Sequence, residues 1–526
     1  MTTAPARSPD RLARLATLLA ALSLFSPGAG ATPFGAGAAF DQPSVALVTA
    51  TALAFMQPRT VEQVPLSRLT LWGLRSLTAL DPRLQLELDD RSIRLFAQLD
   101  TERREIWQCP LPAASADAQV WGQVIADALR SGWNASQAVR HVGTQGVIQT
   151  FFDEVFNHLD PYSRYATPEQ AAVARDERDG QGDLGLRVEA RPTGVYVSGV
   201  DAGGPAAKAG IRRGDRVLAI DDTAVSASAD TATATSVLTG PGGGDVTLTL
   251  RGPAGRTRSL VLRRVVHIPE TVFASRNRDM LVIRVTRFSA DTGRRVGEEL
   301  ARALPPAAHR RSRGVVLDLR GNRGGLLDQA VAAAAALMDD GLVAMTVGRD
   351  PASNRRLAVV DGQDLAAGLP VVVLVDGRTA SAAEVLAAGL GDQRRAVVVG
   401  SATLGKGLVQ TVAPMPDGGE LYVSWSQIVA PAGWPLQVLG VLPQVCTSVG
   451  QDAARSVLAD LSQGVRPPVR ALQRHNAARA PLPPAEALEI RSSCPAAEGL
   501  DFDMVVADRL IRDARAYATA LDEATP

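Results

Sequence analysis

One stretch constrains the fold of this chain more than any other: residues 369–410, LPVVVLVDGRTASAAEVLAAGLGDQRRAVVVGSATLGKGLVQ. The run 371–375 is entirely Val and Leu and closes at Asp376-Gly377, the pattern of a strand covered on both faces. Ser381 and Glu384 have the S-x-x-E spacing of a capping box, and Val385, Leu386, Ala388 and Leu390 then recur at helical spacing. A second strand, 396–399, ends at Gly400. Such a βαβ unit puts Ser381 at the carboxyl end of a strand and the start of a helix. Free backbone N–H groups and the helix dipole favour developing negative charge there.

The segment from Gly400 to Gly407, GSATLGKG, nearly spells the phosphate-cradling G-x-x-x-x-G-K-[ST], but Gly407 stands where the hydroxyl residue should be. A phosphate loop also needs a helix after its lysine. Here LVQTVAPM, the turn PDGG and ELYVSWSQIV predict a β-hairpin. The competing reading is a serine nucleophile with a lysine base. Thr379-Ala380-Ser381-Ala382-Ala383-Glu384, then Gly405-Lys406-Gly407 and Gln410 in register, resemble the carboxyl-terminal processing peptidases, or tail-specific proteases, a family of Ser/Lys endopeptidases with an inserted PDZ domain. Taken singly, Ser381 reads as a helix cap, Lys406 as a turn lysine and Gln410 as a strand residue; the joint spacing is what carries the resemblance.

With 526 residues and 55 acidic against 55 basic side chains, the chain has room for two or three domains, and its charge balance does not indicate nucleic-acid binding. Residues 1–31 have the features of an export signal: three early arginines, the apolar run 15–25, and Ala29-Gly30-Ala31. The run is too short for a bilayer span, so the expectation is an exported, periplasmic or otherwise extracytoplasmic protein; whether the signal is cleaved or stays as an anchor is left open. Three cysteines show no C-x-x-C and no histidine at ligand spacing, so neither metal nor cofactor is expected. An oxidising compartment would allow Cys446 and Cys494 to bridge the chain end to the core, leaving Cys109 free, although sequence does not fix the pairing.

The expected organisation is multidomain α/β. A helical N-terminal region spans 41–170, a PDZ-like β-rich domain 180–266, an α/β catalytic core of βαβ units plus the hairpin 271–465, and a C-terminal helical tail 466–526. Leu159-Asp160-Pro161-Tyr162-Ser163-Arg164-Tyr165 resembles the family segment preceding the inserted domain, and is otherwise a helix stop with packing tyrosines. In the PDZ-like part the resemblance implies that the Leu184-Gly185-Leu186 loop offers N–H groups to a substrate's terminal carboxylate, beside a groove helix at about 229–238. It also implies that the Gly-Gly turn after strand 315–319 supplies an oxyanion donor from Gly324 or Gly325, together with the N–H of Ala382.

In the chemistry that follows, Ser381 attacks, Lys406 takes its proton while neutral, and Gln410 orients the amine. Burial beside Leu404 and Leu408 would lower the lysine pKa. The sequence departs from the family pattern at Ala383, Leu404, Arg323 and Gln444, where serine, phenylalanine, proline and aspartate are usual. The expected partners are protein or peptide substrates with apolar C-termini, with an adaptor, a homo-oligomer and peripheral membrane association left open. The alternative is a catalytically silent PDZ-containing binding or scaffold protein on a peptidase fold.

Overall fold

Val371–Val375 is buried at every position because it lies inside a six-stranded sheet with helices on both faces. In the computed structural model, which describes residues 39–522 apart from 100–101, 180, 202, 222, 227–237, 239, 242, 268–269 and 466–469, the strand order is Val272–Asn277, Met280–Val285, Gly314–Asp318, Val371–Val375, Val397–Gly400 and Val445–Cys446. The first pair is antiparallel and the others parallel. Side chains alternate between two cores. Val371, Val373 and Val375 pack with the helices Thr292–Ala303, Leu327–Ala334 and Ala382–Asp392, whereas Val372 and Leu374 meet Gln451–Ser462, Asp501–Arg512 and Ala514–Asp522. An apolar run without polar alternation is what two covered faces require.

The predicted hairpin forms from Leu408–Pro414 and Glu420–Val429, within an antiparallel sheet that continues through Gly341–Gly348 to Arg355–Val359. A strand therefore follows Lys406, which removes the phosphate-loop reading. Arg164–Ala166 also pairs with the hairpin, at residues 420–422.

Within residues 41–170 the helices Gln42–Met56, Leu66–Leu74, Ala118–Ala135 and Gly143–Asn157 surround Leu53, Leu69, Ile125, Phe151 and Phe152. This core extends to Ala413, Leu421 and Val423 of the hairpin. A three-stranded antiparallel meander, Leu84–Leu88, Ser92–Leu99 and Glu102–Pro110, adds to the helical expectation. Its cue is a period of two: Ile93, Leu95 and Ala97 are buried and alternate with the more accessible Arg94, Phe96 and Gln98.

The PDZ-like part is a five-stranded antiparallel path, Thr257–Arg263, Asp245–Arg251, Arg216–Ile220, Gly194–Val200 and Leu186–Arg191, around Val195, Val197, Val246 and Leu248. The expected groove helix, apart from Leu238, and the export signal at 1–31 lie outside the described residues.

The stretch FDMVVADRLIRDARAYATAL, whose spacing predicts one amphipathic helix, forms parts of two, Asp501–Arg512 and Ala514–Asp522. Asp513 breaks it by accepting the Ser462 hydroxyl at 2.7 Å and the Ala516 N–H at 3.0 Å. Cys446 and Cys494 are bonded, and Cys109 is free. Leu510 is fully buried against the sheet, so Leu510→Ala is expected to cost about 3 kcal/mol, read as a lower midpoint in urea unfolding.

Candidate active site

The turn that leads into the helix Ala382–Asp392 is held by a carboxylate. Asp376, at the end of its strand, accepts the N–H groups of Thr379 at 2.9 Å, Arg378 at 3.0 Å and Gly321 at 2.9 Å through one oxygen. The loop before Ser381 and the turn after Gly314–Asp318 are thereby locked together. At Ser381 the backbone has φ +56° and ψ −121°, a left-handed conformation that costs a non-glycine residue roughly 1–3 kcal/mol and is concentrated at functional sites.

Gly324 lies directly against the serine: a methyl group there would come within 2.8 Å of Ser381 Cβ and 2.9 Å of the Ala382 nitrogen. With φ +91° as well, the position needs glycine. Its own N–H donates to Asn322 Oδ1 at 2.8 Å. Among the described residues no hydrogen bond takes the N–H of Gly325 or of Ala382. Of the two glycines, Gly325 is the one with a donor left over.

Glu384 is fully buried and does far more than cap its helix. Its carboxylate accepts the Ser381 N–H at 2.7 Å, the Gly405 N–H at 2.7 Å, the Lys406 N–H at 3.0 Å and the Thr403 hydroxyl. Ser381 and Lys406 share one oxygen of it, Oε2, so their backbone N–H groups converge on one point. Burial pushes the Glu384 carboxyl up, against the four hydrogen bonds that pull it down.

Lys406 is half-buried, and its Nζ lies 3.4 Å from Gln410 Oε1. Gln410 in turn donates through Nε2 to the Tyr162 carbonyl, which leaves its oxygen facing the lysine. Burial first, and the Arg164 charge second, hold the lysine below its ordinary pKa, against Asp160 and Glu384. The apolar wall differs from expectation: Leu408 is buried, but Leu404 is 49% exposed, and the Tyr162 ring lies 5.0 Å from Nζ. Asp160 fixes that segment by accepting the N–H groups of Tyr162 and Ser163, both at 2.9 Å, and the Ser424 hydroxyl at 2.8 Å.

Ser381, Lys406, Gln410, Ala382, Gly324 and Gly325 thus gather at the carboxyl end of the sheet. Glu384 and Tyr162 join them without having been singled out from sequence; each sat in a segment whose simplest reading was a helix cap or a helix stop. The Leu184-Gly185-Leu186 loop belongs to the PDZ-like part. Leu184 is buried in that core, and the Gly185 N–H is taken by the Asp183 carboxylate.

Comparison with known proteins shows a peptidase-family core that carries a PDZ domain. Residues 279–447 match peptidase family S41 and residues 196–264 a PDZ domain. The chain is 31% identical over 304 residues to the carboxy-terminal-processing protease of Bartonella bacilliformis, covering 57% of this chain and 69% of that one. It is 33% identical over 298 residues to the carboxyl-terminal-processing protease of a Picosynechococcus species, covering 54% and 69%. A chloroplastic C-terminal processing peptidase of Tetradesmus obliquus is 30% identical over 330 residues, with 56% and 69% covered. The chain belongs to the carboxy-terminal-processing proteases.

Replacing the buried carboxylate tests the clamp. In Glu384→Gln one acceptor oxygen becomes an NH2 group facing N–H donors, so a loss of about 3 kcal/mol in unfolding free energy is expected, together with loss of peptide cleavage.

Proposed function

We propose that this chain is an exported serine endopeptidase that captures the C-terminal tail of a protein substrate in its PDZ domain and cleaves upstream with Ser381 and Lys406. The observation that carries the reading is the shared Glu384 oxygen, which holds the backbones of both residues at one point.

The hydroxyl of Ser381 attacks the scissile carbonyl as neutral Lys406 takes its proton, giving a tetrahedral oxyanion and then an acyl-enzyme once the lysine returns the proton to the leaving amine. Water repeats the sequence to release the acid. Gln410 holds the amine by an uncharged acceptor. The N–H groups of Ala382 and Gly325 stabilise the oxyanion, a contribution of roughly 3 kcal/mol per donor.

Lysine suits the base role only where its ammonium form is disfavoured, and the burial of Lys406 supplies that condition. The division at 1–31, 41–170, 180–266, 271–465 and 466–526 belongs to the same proposal. The Cys446–Cys494 bond fits delivery into an oxidising compartment. In the PDZ part, the Leu184-Gly185-Leu186 loop receives the tail carboxylate, which has to displace Asp183 from the Gly185 N–H.

The decisive assay is digestion of an unfolded protein with an apolar C-terminus by the parent, Ser381→Ala and Lys406→Ala chains, with folding of each checked by circular dichroism. Cleavage by the parent alone is expected; cleavage by either variant at the parent's rate would refute the pair. Because the base works deprotonated, kcat/KM should fall as pH falls through the depressed lysine pKa, and a rate flat from alkaline to acid would exclude lysine. Asp183→Ala should bind an apolar-tailed peptide more tightly in fluorescence anisotropy, since a competing carboxylate has gone.

A further inference from the structure

The turn after Gly314–Asp318 is rigid. Asn322, fully buried, donates through Nδ2 to the Val285 carbonyl at 2.9 Å, and its own carbonyl accepts the Ala380 N–H at 2.9 Å. With Gly321 on Asp376 and Gly324 on Asn322 Oδ1, the backbone of Arg323 is fixed one residue from the glycine that touches Ser381.

Other arginines at this end of the sheet are engaged. Arg320 joins Asp318 and Asp503, Arg284 pairs with Asp318, and Arg378 pairs with Glu498. Arg323 is exposed and has no hydrogen bond or ion pair among the described residues. The lysine side of the cluster is also positive: Arg164 lies over the Tyr422 ring at 3.9 Å, and its charge reaches Lys406. The nearby carboxylates are committed, Glu384 beneath four donors and Asp160 to Tyr162, Ser163 and Ser424. Among the described residues the turn beside Gly324 and Gly325 therefore carries an exposed, unpaired guanidinium, and Arg164 adds a positive charge on the lysine side.

We infer that Arg323 is a specificity-determining residue that recruits an Asp or Glu side chain flanking the scissile bond of the substrate. The inference rests on the Ser381 reading of the site. A guanidinium fork matches a carboxylate in two parallel hydrogen bonds, which a proline at the same place could not make. The contact lies at a solvent-exposed rim, so the selectivity it supplies is modest, about fivefold at most at low salt.

The test uses two peptides that share an apolar free C-terminus and one mapped cleavage bond, differing only in Glu or Gln beside it. The parent should favour the Glu peptide about fivefold in kcat/KM at low salt, with the ratio falling toward one in about 0.5 M salt, where charges are screened beyond about 4 Å. Arg323→Lys should keep most of the preference, Arg323→Gln should abolish it, and Arg323→Glu should favour a Lys peptide instead. A ratio of one in the parent, or a Glu preference that survives Arg323→Gln, overturns the inference while cleavage itself leaves the Ser/Lys reading standing. A folded parent that cleaves neither peptide overturns both.

Discussion

One carboxylate shut away from water, that of Glu384, is what the site depends on. A charge so placed loses its hydration, at a cost of several kcal/mol, unless hydrogen-bond donors replace it. Its donors come from the turn before its own helix and from the loop 403–406. Satisfying the one group therefore requires both segments to be in place together. The unusual backbone of Ser381 is held by the same bond that satisfies the carboxylate. Removing either segment would leave the other with a buried, unmatched polar group.

The clamp operates because everything around it is fixed. Its helix is buried from Ala382 to Gly391, between the central sheet and the second sheet. The hairpin that starts beyond Lys406 is fastened at its other end to the N-terminal helices through Leu421, Val423 and the Phe152–Tyr165 ring pair. Asp160 connects the two regions, since it orders the loop bearing Tyr162 and also bonds Ser424 of the hairpin. The environment of Lys406 is thus set partly by residues some 240 positions earlier in the chain.

The central sheet, the helix after Ser381 and the hairpin after Lys406 could be read from sequence because each announces itself within a few residues: an unbroken Val run, a capping box, a Pro-Asp-Gly-Gly turn. Ser381, Lys406 and Gln410 were singled out by a resemblance carried by their joint spacing, and the structure brings them to the same end of the sheet. Glu384 was visible only as a cap, since its bonds to Gly405 and Lys406 span 21 and 22 residues and depend on packing that no local pattern encodes. Tyr162 was hidden for the same reason: a tyrosine after Asp-Pro looks like a helix stop until its carbonyl is seen holding Gln410. That Gly324 and not Gly325 has its N–H engaged depends on its hydrogen bond to Asn322 Oδ1, which no glycine pair reveals. Asp513 did carry a local signal, an N-cap residue type three positions before Ala516, but the apolar spacing runs on across it.

The loop before the serine is also buttressed from the far end of the chain. The Ala497 carbonyl takes the Gly377 N–H at 2.7 Å and the Ser401 hydroxyl at 3.0 Å, and the Gly499 N–H reaches Asp376 Oδ2 at 3.2 Å, close to the point where Cys494 is bonded to Cys446. Asp376 and Gly377 thus take part of their support from residues about 120 positions further along the chain. Order in the turn before Ser381 is therefore a property of the closed tertiary structure and not of its own sequence, so loosening residues 494–499 would be felt at that turn.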